Sequence, residues 1–476
     1  MLTVERRLFD AAPPECLLPL KYTFCVQEPT PQIDLTASEE GQAMESAQEV
    51  VDGSASHEEG NASALITEPT AVLGILLVIL AVVFKTSNSK SSGFQKFYAV
   101  VPALLLCYFI PGLLGTLGLV SDADGSLYYV ASRYLLPACL VLLTIAIDLP
   151  GIFRLGPKLL LVFLAATVGV IVGGPIAILA VGTFSPETVG GTDSGAVWRG
   201  LATVAGSWIG GGANQTAMKE VFQPANDLFS AMIAVDVIVA NMWMAVLLFM
   251  AGRSKSIDNA TGADRAALDQ LLDRVEQLDA GPRRAATTTD LMTIAAVGFA
   301  VVGFARLAGD GLAGFFSEHA EWASRFSLTS TFFWLIVLST TIGVFLSFNP
   351  RIRKLEQVGA SRVASVFLYL LVAVIGLKMD LSSIFSNPGY FLVGMIWIGI
   401  QAMFVLTTAW LLKAPVFFAA VGSQANIGGA ASAPVVAAAF NPRLAPVGVL
   451  LAVLGYALGT YGAWLAAQFM RMASGG

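Results

Sequence analysis

The sequence predicts an all-α integral membrane protein of two inverted-topology repeats, each about five transmembrane helices plus a Gly-rich re-entrant hairpin. Three observations carry that reading. The chain is too apolar for a soluble domain, two glycine-rich stretches match each other, and the basic loops alternate correctly only if those stretches do not cross the bilayer. Of 476 residues, 56% are hydrophobic and 13% are charged. A soluble domain carries about a quarter charged residues. Mean hydropathy is +0.72.

The first 60 residues differ from the rest, with Arg6, Arg7 and Lys21 against twelve acidic residues. Such a segment cannot bury enough apolar surface to fold, and residues 1–63 are expected to be a disordered acidic extension. Apolar runs then recur at 65–85, 97–119, 127–148, 158–182, 201–222 and 229–251. A charged linker, 253–287, separates these from 288–309, 326–347, 363–380, 388–412, 415–440 and 445–470. Each run is near the ~20 residues a bilayer needs. The expected organisation is repeat 1 over 64–252, a cytoplasmic linker, and repeat 2 over 288–476. Within the linker, Leu268, Leu271, Leu272, Val275 and Leu278 have helical spacing and predict an amphipathic helix on the membrane surface.

Two of the runs are unlike lipid-facing helices. Ile209–Pro224 reads IGGGANQTAMKEVFQP and Ile427–Pro442 reads IGGAASAPVVAAAFNP, with six of sixteen positions identical. A Gly-Ser pair precedes each, and "DLPGIF" from Asp148 matches "DLSSIF" from Asp380. Matches in the same order within the same span pattern indicate an internal duplication.

Lys and Arg mark cytoplasmic loops. Lys85, Lys90 and Lys96 put the first loop inside, and Arg154 and Lys158 the third. Six basic residues put the 253–287 linker inside, and Arg351, Arg353, Lys354 and Arg362 do the same for 351–362. The count closes only if 201–222 enters and leaves on one side. Glycines at the tip let backbones approach, and the exposed backbone groups line a polar cavity. Treating 415–440 likewise places both termini outside, in a bacterial-type inner membrane. The alternative for the glycines alone is close helix packing, but the amides between them need partners.

The candidate substrate-binding residues are therefore Ser207, Gly210, Gly211, Gly212, Asn214, Gln215, Thr216, Gln424, Asn426, Gly428, Gly429 and Ser432. Asp236, a carboxylate inside a span, is the ion-coupling candidate with Asn241 and Ser423, or else a structural partner of Lys378. Oxygen-rich hairpins suit Na⁺ as a hard cation. Half-helix amino ends suit an organic carboxylate. Asp148 and Asp380 read as caps or local ion pairs, Lys219 and Glu220 as groups near the outer surface that pair with one another or with water, and Arg133 and Arg306 as snorkelling. Cys107 and Cys139 read as small packed hydrophobes. The two histidines, His57 and His319, lie in polar segments and offer no intramembrane metal site or triad. With no HExxH, GxSxG or nucleotide-binding loop, the chain is expected to be neither an enzyme nor an ATP-driven pump.

"GSWIGGGANQTAMKEVF", "GSQANIGGAASAPVVAAAF" and "GLKMDL" together resemble the YjcL-like membrane proteins, domain-of-unknown-function family 819, over roughly residues 65–470. The layout is more remotely similar to bacterial sodium/glutamate symporters and sodium/citrate carriers of the hydroxycarboxylate type. That similarity implies inverted five-span repeats and sodium coupling. The expected function is a cation-coupled (Na⁺) secondary transporter of a small organic anion, working between two hairpins. A monovalent cation/proton antiporter and a non-transporting scaffold or receptor stand as alternatives. Expected partners are the lipid bilayer and the anion, with no nucleic acid, and a homodimer is compatible. No cofactor beyond Na⁺ is expected.

Overall fold

The structure is a computed structural model that describes residues 64–101, 103–277, 285–379 and 387–475. The acidic extension and Asp380 lie outside the described residues, so neither expectation is addressed. Within them the chain is helical, with one isolated β-bridge between Ile66 and Val120.

The helices are α1 (Pro69–Ser87), α2 (Ser92–Val100), α3 (Ala103–Thr116), α4 (Ser126–Ile145), α5 (Pro157–Gly182), α6 (Val197–Phe222), α7 (Asn226–Gly252), α8 (Ser254–Thr261) and α9 (Ala266–Gln277). They continue as α10 (Thr288–His319), α11 (Thr331–Ser347), α12 (Ala360–Leu377), α13 (Gly389–Leu411), α14 (Val416–Ile427), α15 (Gly429–Phe440) and α16 (Ala445–Ala473). Among the described residues eight helices are long and apolar enough to cross a membrane, or ten if two bent pairs each count as one. One pair is α2 with α3, bent by 85°, where the sequence predicts the single span 97–119. The other is α11 with Pro350–Val358, bent by 99°.

Local chemistry sets several boundaries. The Glu68 carboxylate accepts from the backbone N–H groups of Thr70 and Ala71 at 3.1 and 2.6 Å, and Pro69 opens α1. Thr287 and Asp290 form a reciprocal capping box on α10. A π-helical turn, Ala131–Leu135, interrupts α4 and carries Arg133.

The linker departs from the expected surface helix. Leu271 of α9 is fully buried with Leu155, Phe417 and Leu444, so the apolar face packs on protein. The buried Asp258 accepts from the Val416 N–H at 2.8 Å, capping the amino end of α14. Lys158 pairs with Asp264 at 3.1 Å.

The helices pack in two groups. The first contains α1, α3, α4, α10, α11 and α12. The second contains α5, α6, α7, α13, α14, α15 and α16, with α6 lying chiefly along α16 and α5 along α13. Each group draws on both halves of the sequence, so neither half packs alone. Contacts between the groups are sparse by comparison.

Candidate functional site

Gly211 breaks α6, with φ 71° and ψ −174°. This is backbone that L-residues with a Cβ rarely adopt. The chain then doubles back. A Cβ added at Gly206 would lie 2.5 Å from the Asn214 carbonyl oxygen and 2.9 Å from the Gln215 nitrogen. On a straight helix, residues eight apart are separated by about 12 Å. The limbs on either side of Gly211 therefore lie together, close enough that only glycine fits at 206.

The second stretch behaves alike. Gly429, with φ 55°, opens α15 one residue beyond the break at Gly428 that ends α14. The Gln424 side-chain amide donates to Ser432 Oγ at 2.7 Å, again across eight residues. Gly211 and Gly429 are the positions that the sequence match aligns, and they meet: a Cβ on Gly429 would stand 3.8 Å from Gly211 Cα.

Beside this meeting point is a cavity of about 280 Å³. Gly211, Gly212, Gly428 and Gly429 line it from the second helix group, with Tyr456 of α16. Leu104, Leu143, Ser365, Leu368 and Tyr369 line it from the first. It carries hydroxyls and backbone but no charged side chain among the described residues. A second cavity, of about 450 Å³, shares Leu143, Ser365, Ala430 and Tyr456 with it and extends to Arg353, Lys354 and Glu356. Arg353 pairs with Asp148 at 3.1 Å, so Asp148 does form a local ion pair.

The remaining predicted residues hold the turns in place. Gly210 lies against α16, where a Cβ would meet the Gly455 carbonyl oxygen at 2.8 Å. Asn214 is fully buried; its amide donates to the Gly210 and Tyr456 carbonyls, both at 3.0 Å, and its oxygen accepts from Thr460. Asn426 does the same on α5, donating to Phe163 and Gly422 carbonyls and accepting from Thr167 at 2.8 Å. Ser423 Oγ accepts from the Trp243 indole at 2.8 Å and from the Gln401 amide at 2.9 Å. Thr216 bonds back to the Gly212 carbonyl. Asn241 donates to Val237 on its own helix and does not join the cluster. The Gln424 Oε1 atom is buried with no hydrogen-bond partner.

Asp236 is buried and accepts three hydrogen bonds. Ser207 Oγ and Gln215 Nε2 donate to Oδ2 at 2.7 and 3.0 Å, and Trp208 Nε1 donates to Oδ1 at 2.7 Å. Ser207 and Trp208 sit on one limb of the turn and Gln215 on the other, so one carboxylate clasps both. The sequence-based pairing of Asp236 with Lys378 is not what forms; the Lys378 ammonium lies 4.4 Å from the centroid of the Tyr128 ring. Lys219 and Glu220 approach one another at 3.9 Å, as the sequence allowed. Both are buried, with Glu220 paired to Arg133 at 2.9 Å and accepting from Tyr128, while Lys219 donates to the Tyr128 oxygen at 2.8 Å. Arg133 reaches this contact from the π-turn in α4. Arg306 is exposed and pairs with Asp310 one turn along α10.

Sequence reasoning missed Tyr456, Ser365 and Tyr369. Tyr456 has a weak signal, as an aromatic between close-packed glycines in "GYALG", whereas the other two sit in ordinary apolar helix.

The model of the family described as "Protein of unknown function (DUF819)" matches residues 74–473, nearly all of the described chain. The chain belongs to the DUF819 family. This DUF819 protein is similar to the "Uncharacterized membrane protein YjcL" of Bacillus subtilis (strain 168). They are 25% identical over 357 residues, 72% of this chain and 83% of the relative. With its many apolar spans, it is an integral membrane protein.

Proposed function

We propose that this DUF819 protein is a cation-coupled secondary transporter of a small organic anion, with the substrate site where the two glycine turns meet. The observation that carries the reading is the contact between Gly211 and Gly429 beside a cavity that both helix groups line. In this reading the two turns are tips of re-entrant hairpins entering from opposite faces. Residues 64–252 and 288–476 are the inverted repeats. The order of elements supports that: α1, α3, α4, then α5, the broken α6 and α7, against α10, α11, α12, then α13, α14–α15 and α16. Both termini are then outside.

Broken helices offer a substrate what intact ones cannot. The amino ends of the limbs after each turn carry partial positive charge, which favours a carboxylate. The buried, unpartnered Gln424 Oε1 and the carbonyls around it are the kind of oxygen ligand that Na⁺ takes. Our reading puts the coupling ion at these tip oxygens, with Asp236 acting through the shape of the first turn, whose two limbs its hydrogen bonds join. Sparse contacts between the helix groups favour movement of one group against the other around the site.

Thermal-shift measurements on the detergent-purified full chain test this, with a panel of di- and tricarboxylates in Na⁺, K⁺ or choline. A carboxylate that stabilises only in Na⁺, and no longer does so in Gly429→Val, is the expected result. Stabilisation by Na⁺ or pH alone favours the antiporter reading. No ligand- or ion-dependent shift favours a scaffold.

A further inference from the structure

We infer that a second site, separate from the glycine turns, binds an oxyanion between Arg199, Arg325 and Arg471. A cavity of about 500 Å³ is lined by these three arginines and by Asp193, the one acidic side chain among its described lining residues. Hydroxyls of Thr192, Ser324, Ser327 and Ser474 complete the polar wall. The guanidiniums of Arg199 and Arg471 both lie over the Trp198 ring, 5.0 and 5.8 Å from its centroid. Arg471 donates to the Arg325 carbonyl at 2.7 Å, and Arg199 donates to the Phe222 carbonyl.

None of the three pairs with a carboxylate among the described residues, and Arg199 Nε is buried without any hydrogen-bond partner. Gathering three like charges costs energy that a bound counter-ion removes. The planar donor fork of arginine matches carboxylate and phosphate oxygens. The amino end of α6 reinforces this: Ala196, at its cap position, lines the cavity and supplies no capping side chain.

The site joins the two helix groups. Arg199 and Arg471 stand on α6 and α16, whereas Ser324, Arg325 and Ser327 follow α10. An anion held by all three arginines ties the groups together at a place the glycine-turn cavity does not reach. In the proposed topology this is the outer face, away from the cavity at Arg353. The binding itself does not depend on the transport reading.

The test is isothermal titration of the full chain in neutral detergent at fixed ionic strength with inorganic phosphate and with succinate. A parallel arm compares stability in nanodiscs with and without phosphatidylglycerol. Saturable binding of either soluble anion, or phosphatidylglycerol-specific stabilisation, supports the site if Arg199→Gln with Arg471→Gln weakens it at least tenfold. Gly429→Val must leave it unchanged. Each variant is first checked for a monodisperse elution profile, and single Arg471→Lys serves as a milder probe that keeps the charge but loses the fork. No saturable binding in either arm overturns the inference. So does binding that Arg199→Gln with Arg471→Gln leaves unchanged.

Discussion

Replacing Asp236 gives the sharpest test of how the first glycine turn is held. The carboxylate accepts from Ser207, Trp208 and Gln215 at 2.7, 2.7 and 3.0 Å. Hydrogen bonds to a charged acceptor contribute ~1.5–3 kcal/mol each, against ~0.5–1.5 for neutral pairs. Asp236→Asn keeps one acceptor oxygen for the Trp208 indole, and its new N–H₂ can donate to the Ser207 hydroxyl. Its expected loss is about 2–3 kcal/mol. Asp236→Ala strands three buried donors at ~1–3 kcal/mol each, so about 4 kcal/mol or more is expected. The assay is equilibrium unfolding in mixed micelles, followed by tryptophan fluorescence and by helicity. Wild type, Asn and Ala should rank in that order. Wild-type stability in Asp236→Ala, together with lost cation dependence, would refute the clasp and return Asp236 to the ion path.

Four further outcomes follow from the geometry. Gly211→Val and Gly429→Val force a branched residue into positive φ and should abolish ligand-dependent stabilisation, while Gly74→Val, whose Cβ meets nothing within 4 Å, should not; ligand titration separates them. Gly206→Ala should lower the midpoint of unfolding by more than Gly74→Ala does, because its Cβ would sit 2.5 Å from the Asn214 carbonyl oxygen. Cysteines introduced at 122–125 and at 255–277 should label from opposite faces of the membrane, and labelling from one face would mean that α6 crosses it. The Lys158 side chain holds the Asp264 carboxyl below the usual carboxylate range. Its pairing therefore adds stability above the unfolded-state pKa and loses it as pH falls through the lower folded value. Asp264→Asn should remove that part of the acid-limb dependence, read from thermal midpoints against pH.

The glycine turns were legible because helix breakers inside apolar runs have few uses, and the six-residue match aligned Gly211 with Gly429 before any coordinates did. The spans were legible from hydropathy apart from the two bent pairs, and for 97–119 Pro102, between α2 and α3, was the available signal for the break. Side-chain partners were not legible. Asn214 looked like a ligand-facing amide, but Thr460 and the Tyr456 carbonyl satisfy it from 246 and 242 residues away. Such pairings arise only once helices far apart in the sequence pack together, and local pattern does not record them. For Lys219 and Glu220 the pairing with one another was legible, but not their contacts with Tyr128 and Arg133, which come from another helix group.

The way α6 leans on α16 has a consequence for biosynthesis. The ribosome releases the first glycine turn long before it makes the helix that receives it. Until Tyr456 and Thr460 emerge, the Asn214 amide and the open backbone at Gly211 have no final resting place in the bilayer. The nascent segment must wait in a wet or chaperoned setting, such as the insertion machinery, while α7 to α15 are threaded. A message cut short before residue 456 leaves that segment permanently unmatched, so the cell meets a truncated chain with a polar wound in its membrane, open to quality-control proteolysis.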